Sequence, residues 1–539
     1  MGTNHNYIPH SVQATALYQA NGKWNDDLVV HWVERWAGET PEKIAIQPFE
    51  GQPCSYAQLN ENSLRFANAL LALGIKAGDV VAIQLPSSVE FIVAYLGVTR
   101  IGAILSTMHM PYREGELEPL IRFAEAKAII CGPASGNYEG HKMMARLCKR
   151  VPSLQHIIVT TAVDGETGLY SMPAIIDGVK AQAIANPPKA SDPALLCFTS
   201  GTSAAPKGIM RSSQTLTADA RTYVLELGLT SDDRSMIAPP FTHVFGLLCA
   251  NNALYTGGTI LPLTHFEPRL YVEMIETLKP NIIYSAPAHL AGVLKADVLK
   301  GRDMSSVRDV VLGGAICPPQ VAAGFEAYLP HGRVGALFGM TEVLLVTQTP
   351  LDAPPSIRHS SVGRPIPGVE ARIIAKTGKP VEEDEEGELQ LSGFTIMAAY
   401  MKNEEANSAA FTQDGWFRTG DLAIWGPDGN IIITGRVKDM INRGGIKINP
   451  SDIENAIMEH DAVVLAAVVP MPDDVLGERI CAVVTLVPEA SLELDELCAF
   501  LGQKNVSKMR WPERLVVIPE MPMTPTRKII KGALQSLVR

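Results

Sequence analysis

The stretch "LLCFTSGTSAAPKGIMRS", residues 195 to 212, joins an apolar run to a loop of small and hydroxyl-bearing residues that ends in Pro-Lys-Gly. Leu195 to Phe198 is typical of a buried strand, and the loop offers hydroxyls, backbone N–H groups and the cation Lys207. Such a nest of donors beside one cation suits a polyphosphate. It is not a Walker loop, because Pro206 precedes the lysine and Gly208 follows it. Taken alone, the segment fits a Ser/Thr-rich surface turn equally well.

Length and composition indicate a globular protein with more than one domain. The 539 residues exceed the size at which a single core stops growing. A hydrophobic content of 46% and a charged content of 19% are those of a soluble folded protein. The net charge of -11 argues against a surface that binds nucleic acid or anionic membrane. A polyanionic ligand must therefore be held by a few local cations and N–H groups.

The cysteines and the N-terminus exclude several further classes. The eight cysteines are scattered with no C-x-x-C pair, so neither a zinc site nor a disulfide framework is predicted. The first residues, "MGTNHNYIPH", lack a basic patch followed by an apolar stretch, and no apolar run reaches 18 residues. The sequence therefore predicts a cytoplasmic enzyme without a membrane span.

Strand-like and helix-like segments alternate through the first part of the chain. Short apolar runs occupy 80–85, 128–130, 157–159, 281–284 and 310–312, and a helical period covers 90–101. This alternation favours an α/β architecture with buried, largely parallel sheets.

The texture changes in the last third of the chain. After about residue 365 alternating runs are separated by turns, which is typical of an antiparallel module. From near Lys438 a helix pattern opens at Ser451, strands are predicted at 463–469 and 480–487, and a second helix at 494–501. These residues predict a compact α+β domain.

Six further motifs follow the quoted loop, whose own motif is "TSGTSAAPKG" (199–208). They are "PPFTHVFG" (239–246), "GGA" (313–315), "LFGMTE" (337–342), "GWFRTGD" (415–421), "GRVKDMINRGGIKINPSDIE" (435–454) and "PMTPTRKIIKGAL" (522–534). In this order the set resembles the adenylate-forming superfamily of acyl- and aryl-CoA synthetases, peptide-synthetase adenylation domains and firefly luciferases. Because the motifs span most of the chain, the resemblance is not a coincidence of one short segment.

This resemblance implies a two-domain fold. Residues 1–437 would form a large domain of two α/β subdomains and a β-barrel-like module that binds ATP and the acid. Residues 438–539 would form a small, mobile α+β domain that carries the catalytic lysine. Lys438 is implied as the hinge, and a polar exposed residue suits a pivot that absorbs a backbone rotation.

The resemblance also assigns an ATP site. Phe338 would stack on adenine, Thr341 would bond the α-phosphate, and Glu342 would hold Mg²⁺, which takes one or two carboxylates beside phosphate oxygens. Asp421 would accept both ribose hydroxyls. The full implied set is Thr199, Ser200, Gly201, Thr202, Ser203, Lys207, Gly314, Ala315, Phe338, Gly339, Thr341, Asp421, Arg436 and Lys528. Ala204 departs from the family's usual Gly and lacks its freedom at positive φ, which bears on how the loop closes over ATP.

Lys528 is the residue on which the catalytic assignment rests. Its match to the family's C-terminal lysine implies a cation on the substrate carboxylate and α-phosphate. A lysine near a C-terminus is ordinarily a solubilising charge, and Lys531 is a rival, but the register from Pro522, Thr524 and Leu534 favours Lys528. By the same resemblance, Thr341 and His243 join it as catalytic residues. The Gly444-Gly445 pair would line the thiol tunnel for CoA.

The class of acid is predicted from two polar residues that this chain lacks near His243. Thr242 stands where amino-acid-activating domains carry Asp, and Val244 stands where enzymes for ortho-hydroxybenzoates carry Asn. The implied pocket includes His243, Phe245 and Gly314, together with 286–288 and 343–345, and it is mainly apolar. An apolar pocket predicts an aromatic, alicyclic or medium-chain acyl acid.

The function predicted from the resemblance is an AMP-forming acid:CoA ligase that uses ATP, Mg²⁺ and CoA. A second possibility is a ligase that loads a carrier-protein phosphopantetheine, for which the site residues would be the same. A third is a non-catalytic nucleotide- or acyl-adenylate-binding protein, for which Ala204 is the supporting feature. Intact Lys207, Glu342, Asp421 and Lys528 speak against the third. Neither a nucleic-acid partner nor a membrane span is predicted.

Overall fold

The computed structural model describes residues 7–136, 138–162, 168–199, 207–382, 385–473, 475–524 and 527–538. The strands are β1 (Ile44–Ile46), β2 (Cys54–Ser55), β3 (Val80–Gln84), β4 (Ile104–Thr107), β5 (Ala128–Cys131), β6 (His156–Val159), β7 (Leu169–Ser171), β8 (Pro193–Thr199), β9 (Lys207–Ser212), β10 (Arg234–Ile237), β11 (Thr259–Pro262), β12 (Ile282–Ser285), β13 (Asp309–Leu312), β14 (Arg333–Ala336), β15 (Gly339–Met340), β16 (Leu344–Leu345), β17 (Thr347–Gln348), β18 (Arg364–Pro365), β19 (Val369–Ile374), β20 (Gly387–Gly393), β21 (Phe417–Trp425), β22 (Ile431–Arg436), β23 (Ile441–Arg443), β24 (Ile446–Ile448), β25 (Val463–Asp473), β26 (Gly477–Leu486) and β27 (Arg514–Val517).

Helices alternate with these strands. They are α1 (Val12–Ala20), α2 (Val29–Glu39), α3 (Tyr56–Ala72), α4 (Val89–Arg100), α5 (Glu114–Ala124), α6 (His141–Cys148), α7 (Met172–Asp177), α8 (Ser213–Leu227), α9 (Val244–Thr256), α10 (Pro268–Leu278), α11 (Pro287–Lys295), α12 (Pro319–Glu326), α13 (Pro355–Arg358), α14 (Glu404–Ala410), α15 (Pro450–Met458), α16 (Leu494–Gln503) and α17 (Lys531–Val538). Short 3₁₀ turns cover Pro427–Gly429, Val437–Asp439 and Lys508–Arg510. Within the described ranges, no helix combines the length and apolarity that a membrane crossing requires.

The first α/β subdomain is built on a sheet whose described strands run in the order β7-β6-β5-β3-β4-β8-β9. All neighbours pair in parallel except β8 and β9, which are antiparallel. Every residue of β3 is buried, as expected for a parallel strand covered by helices on both faces. The strands predicted at 80–85, 128–130 and 157–159 are confirmed, and so is the helix predicted at 90–101.

The second α/β subdomain repeats this plan. Its described strands run in the order β14-β13-β12-β10-β11-β1-β2, and only the β1–β2 pair is antiparallel. The strands predicted at 281–284 and 310–312 are its buried β12 and β13. The carboxyl ends of such strands are where α/β folds bind ligands.

The two remaining modules match the predicted change of texture. After residue 365 the chain forms an antiparallel sheet, whose described strands run β19-β20-β21-β22. The small domain pairs β24-β23-β26-β25, with β27 added in parallel to β26, and packs α15 and α16 on a core of its own that includes Ile441, Ile453 and Leu497. The helix predicted to open at Ser451 is α15, which begins one residue earlier at Pro450.

Candidate active site

The quoted loop connects two antiparallel strands of the first sheet. Strand β8 ends at Thr199 and β9 begins at Lys207, and these two residues are paired across the strands. The predicted contacts at Ser200, Gly201, Thr202 and Ser203, and the departure at Ala204, lie outside the described residues. The Lys207 ammonium lies 5.2 Å from the centroid of the Tyr400 ring, a cation–π contact.

Thr341 and Glu342 lie in the tight connection between β15 and β16, and both are buried. The Tyr400 hydroxyl donates a hydrogen bond of 2.9 Å to Glu342 Oε1. Burial raises the pKa of the Glu342 carboxyl, and the tyrosine bond opposes that shift. Among the described residues Glu342 has no ion-pair partner. A buried carboxylate with no ion-pair partner fits a site that receives Mg²⁺ together with a phosphate.

The segment around Tyr400 connects β9, the strand after the quoted loop, to the turn between β15 and β16 by hydrogen bonds. Met397 N–H donates to the Glu342 carbonyl and Met401 N–H donates to the Gly208 carbonyl, both at 2.8 Å. The sequence reasoning missed this segment, because nothing in "TIMAAYM" distinguishes it from an ordinary connection.

A fully buried arginine braces the same turn. The Arg211 guanidinium donates to the Thr341 carbonyl at 2.6 Å and to the Thr395 carbonyl at 2.8 Å. Its side chain is 1% exposed. It too was not predicted, and its position in β9 became evident only from the structure; arginine is almost never fully buried unless its donors are bound.

Asp421 and Arg436 face each other across β21 and β22, where they are paired in register. Arg436 Nε donates to Asp421 Oδ1 at 2.6 Å, and the Asp421 side chain is 6% exposed. Phe338 is half-buried at the end of the second sheet, next to Gly339 of β15. Gly314 and Ala315, which follow β13, are exposed.

Lys528 of the small domain reaches these large-domain residues. Burial lowers its pKa to about 8, the nearby positive charge of Arg436 acts in the same direction, and Asp421 opposes it. Its backbone N–H donates to Thr524 Oγ1 at 3.0 Å. The rival, Lys531, forms an ion pair of 2.6 Å with Glu454 of its own domain. The structure therefore brings Lys528, and not Lys531, to the predicted site.

His243 is held as a neutral hydrogen-bond donor at the start of α9. Its Nδ1 accepts from the Phe245 N–H at 3.2 Å, so the proton of the neutral ring lies on Nε2. Burial lowers the His243 pKa to about 3, and the positive charge of Lys528 contributes to that shift. The imidazole therefore stays neutral at physiological pH.

A second imidazole lies beside His243 and was not predicted. His109 Nδ1 lies 3.0 Å from Thr242 Oγ1, and its ring is stacked 6.2 Å from that of His243. The two rings border a cavity of about 10 Å³, room for one water molecule, together with Thr341 and Cys197.

The acid pocket is predicted next to His243. Phe245 is buried, and its ring approaches the Tyr284 ring edge-on at 6.4 Å. A Cβ on Gly313 would lie 3.0 Å from Phe245 and 2.8 Å from Leu337, so the glycine lets both side chains pack directly against the backbone. Behind Phe245, Asn252 Nδ2 donates to the Tyr284 hydroxyl at 3.4 Å. The apolar lining predicted from the sequence therefore has polar groups behind it.

The predicted hinge and CoA residues lie at the start of the small domain. Lys438 is the centre of the 3₁₀ turn Val437–Asp439 between β22 and β23. Gly444 and Gly445, with φ of 58° and 88°, connect β23 and β24 as a hairpin and are exposed. Their roles as hinge and thiol tunnel stay predictions.

Two family models match the chain. The model described as "AMP-binding enzyme" covers residues 33–401, and that described as "AMP-binding enzyme C-terminal domain" covers 452–528. The chain is 31% identical to the medium-chain fatty-acid–CoA ligase of Escherichia coli, over 97% of this chain and 92% of that protein. It is 32% identical to the salicyl-AMP ligase / salicyl-S-ArCP synthetase of Mycobacterium tuberculosis, over 98% and 94%.

Solved structures of MatB from Rhodopseudomonas palustris show the same fold in two forms. At 27% identity, the ATP-bound form matches with a TM-score of 0.84, covering 94% of this chain and 98% of MatB. The apo form of the same protein matches with a TM-score of 0.74, covering 95% and 99%. The chain therefore superposes more closely on the ATP-bound form than on the apo form.

Proposed function

Since the chain belongs to the family of AMP-binding enzymes and is an adenylate-forming ligase, we propose that it activates a hydrophobic carboxylic acid with ATP and transfers the acyl group to CoA. The observation that carries the proposal is the convergence of Lys528 from the small domain on Asp421, Arg436 and His243 of the large domain. Burying a lysine beside another cation is unfavourable, so a purely structural role does not explain the position of Lys528.

In the first half-reaction, a carboxylate oxygen of the acid attacks the α-phosphorus of ATP, and the bond to pyrophosphate breaks. The carboxylate is already a nucleophile, so no general base is needed. Lys528 brings a positive charge to the carboxylate and the α-phosphate, and His243, whose Nε2 carries the proton, would donate a hydrogen bond in the same region. Positioning and preorganised donors then supply the rate enhancement.

Mg²⁺ fits the proposed site through Glu342, since the remaining ligands would be phosphate oxygens and water. When bound, the ion neutralises phosphate charge. The chain's own contribution is to fix Glu342: Tyr400 bonds its carboxylate, and Met397 bonds its carbonyl. Asp421 would hold the ribose, and Arg436 orients that carboxylate.

In the second half-reaction a thiol attacks the acyl carbon of the adenylate, the bond to AMP breaks, and the thiol proton passes to solvent. We propose CoA as the thiol because a CoA ligase aligns over nearly the full chain. The relative that loads a carrier protein aligns equally well, so phosphopantetheine on a carrier protein is the second candidate. Both use the same reactive group.

The proposed acid class follows from the buried apolar side chains Phe245 and Leu337, which pack on Gly313 near His243. An apolar lining favours an aromatic, alicyclic or medium-chain acyl group. Asn252 Oδ1, buried with no hydrogen-bond partner within the described ranges, lies behind that lining.

The test is acid-dependent AMP release by the purified protein with benzoate, 4-hydroxybenzoate, cyclohexanecarboxylate, cinnamate and C6 to C12 acids, with CoA and without it. Mass spectrometry of an acyl-CoA product would support the ligase and identify the acid class. Pyrophosphate exchange without capture by CoA would favour a carrier protein. The absence of both with every acid would refute the proposed substrate class.

A further inference from the structure

Arg527, the residue directly before Lys528, has a backbone conformation that arginine rarely adopts. Its φ is 60°, in the left-handed region where glycine is the usual residue. Two hydrogen bonds close the chain around it: Arg527 N–H donates to the Thr524 carbonyl at 2.9 Å, and Thr524 N–H donates to the Lys528 carbonyl at 2.7 Å. Short hairpin connections of this kind favour glycine at the left-handed position. A side chain retained there needs a compensating contact.

The compensating contact crosses from the small domain to the large one. The guanidinium carbon of Arg527 lies 5.1 Å from the centroid of the Phe266 ring, a cation–π distance. Phe266 in turn packs against His289 with ring centroids 4.6 Å apart and ring planes tilted by 32°. Gly292 makes room for the ring, because a Cβ there would lie 3.2 Å from Phe266. We call Phe266, His289 and Gly292 the aromatic recess.

The aromatic recess can accept a cation, because its imidazole is neutral and the Nδ1 of that imidazole is already hydrogen-bonded. His289 Nδ1 accepts from the Ala286 N–H at 3.2 Å, so its ring is held in place by its own helix start. Burial, and secondarily the charge of Arg527, lowers the His289 pKa to about 3, which keeps the ring neutral. One helical turn beyond the recess, Lys295 Nζ donates to the Asp461 carbonyl of the small domain at 3.4 Å. The two domains therefore meet along α11.

We propose that Arg527 is a positioning residue that docks the Lys528 connection on the aromatic recess and so selects the domain arrangement used for adenylation. The contact joins residues of different domains, so it is lost whenever the small domain rotates away. The contact stabilises the arrangement used in the first half-reaction and is absent from the arrangement used in the second. This inference rests on the proposed function and adds to it a residue that separates the two steps.

Two variants remove the contact from opposite sides. R527G removes the side chain and relieves the unfavourable φ, so a fall in activity cannot come from a strained loop. F266L removes the ring and leaves the Lys528 connection untouched. Each is expected to slow acid-dependent pyrophosphate exchange about tenfold, equivalent to ~1.4 kcal/mol. Thioester formation from supplied acyl-adenylate and CoA is expected to change less than about twofold. The double variant is expected to fall no further than either single one.

Hydrogen–deuterium exchange gives a readout that does not depend on activity. R527G is expected to speed amide exchange in residues 262–268, and F266L in residues 527–530, each on the domain opposite the substitution. If neither peptide changes, or if both half-reactions fall equally, Arg527 does not dock the connection. If the wild-type protein shows no exchange of pyrophosphate with any acid, the proposed function fails, while the amide exchange still decides whether the contact exists.

Discussion

At the scale of single residues, the environment of Lys528 sets the pH range in which its side chain is charged. Burial lowers its pKa to about 8, so the side chain is charged at neutral pH and loses its charge a little above it. The charged form is the one that can oppose the negative charge of a carboxylate and an α-phosphate. Activity that depends on it is therefore present below the pKa and lost as pH rises through it.

We predict that kcat/KM for adenylation falls as pH rises through about 8, because this ratio reports the ionisation of the free enzyme. In K528R the charge persists at higher pH, so the alkaline fall should disappear even if the rate is lower. K528A should slow pyrophosphate exchange by at least ~10²-fold. Normal exchange by K528A would remove Lys528 from the mechanism.

His243 is predicted to act as a neutral donor. H243A should slow adenylation by about 10²-fold, the usual effect of removing one preorganised donor, while H243N should retain more of the rate because its amide can also donate. With a pKa near 3, His243 should impose no inflection on the rate between pH 5 and 7. An inflection in that range that H243N abolishes would show that the imidazole titrates instead.

At the scale of elements, the sequence predicts strands and helices that have a regular apolar pattern. It does not predict contacts between residues that are distant along the chain. The buried strands β3, β5, β12 and β13 follow from continuous apolar runs. The two-residue strands β15 to β18 carry no such periodicity and were not predicted. Arg211 and Tyr400 contribute through partners 130 and 58 residues away, which only the fold brings together.

Replacing Arg211 by Met is predicted to loosen the Thr341 turn. Two charge-assisted hydrogen bonds are lost and two carbonyls are left without that donor, a cost of about 3 kcal/mol. We expect the thermal midpoint to fall by several degrees and adenylation to weaken with it. The control is R122M, which removes an exposed pair of the kind that contributes little. Equal shifts in the two variants would contradict the bracing role.

Replacing Gly313 by Ala is predicted to narrow the acid pocket. The added methyl would lie 2.8 Å from Leu337 and 3.0 Å from Phe245, so one of these side chains must move into the space assigned to the acid. We expect KM for the acid to rise about tenfold, and KM for ATP to change less than about twofold. G115A, with open space around its Cβ, is the control. A parallel rise in both constants would place Gly313 outside the acid pocket.

At the scale of the whole molecule, the structure places Lys528 and the predicted CoA residues differently. Lys528 lies at the large-domain site, whereas Gly444 and Gly445 are exposed on their hairpin. The sequence identified both elements but could not order them in space, because the relative position of two domains depends on contacts such as Arg527 with Phe266. We predict that a rotation about Lys438 exchanges them for the second half-reaction.

Fixing the hinge is predicted to separate the half-reactions. Proline at Lys438 suits the φ of a 3₁₀ turn and restricts further rotation there. K438P should keep pyrophosphate exchange within about threefold of the wild type and slow thioester formation by at least ~10²-fold, measured by single-turnover release of AMP from preformed adenylate. K438A, which keeps the backbone free, should leave both rates near normal. Slowing of both steps by K438P would contradict the hinge assignment.

Formation of an acyl-adenylate at a site completed by Lys528 is the step on which the other proposals depend. It is tested by acid-dependent exchange of labelled pyrophosphate into ATP, compared between the wild-type protein and K528A. We expect exchange with at least one hydrophobic carboxylic acid, and its loss by ~10²-fold or more in the variant. Exchange that is equally fast in both proteins would contradict it.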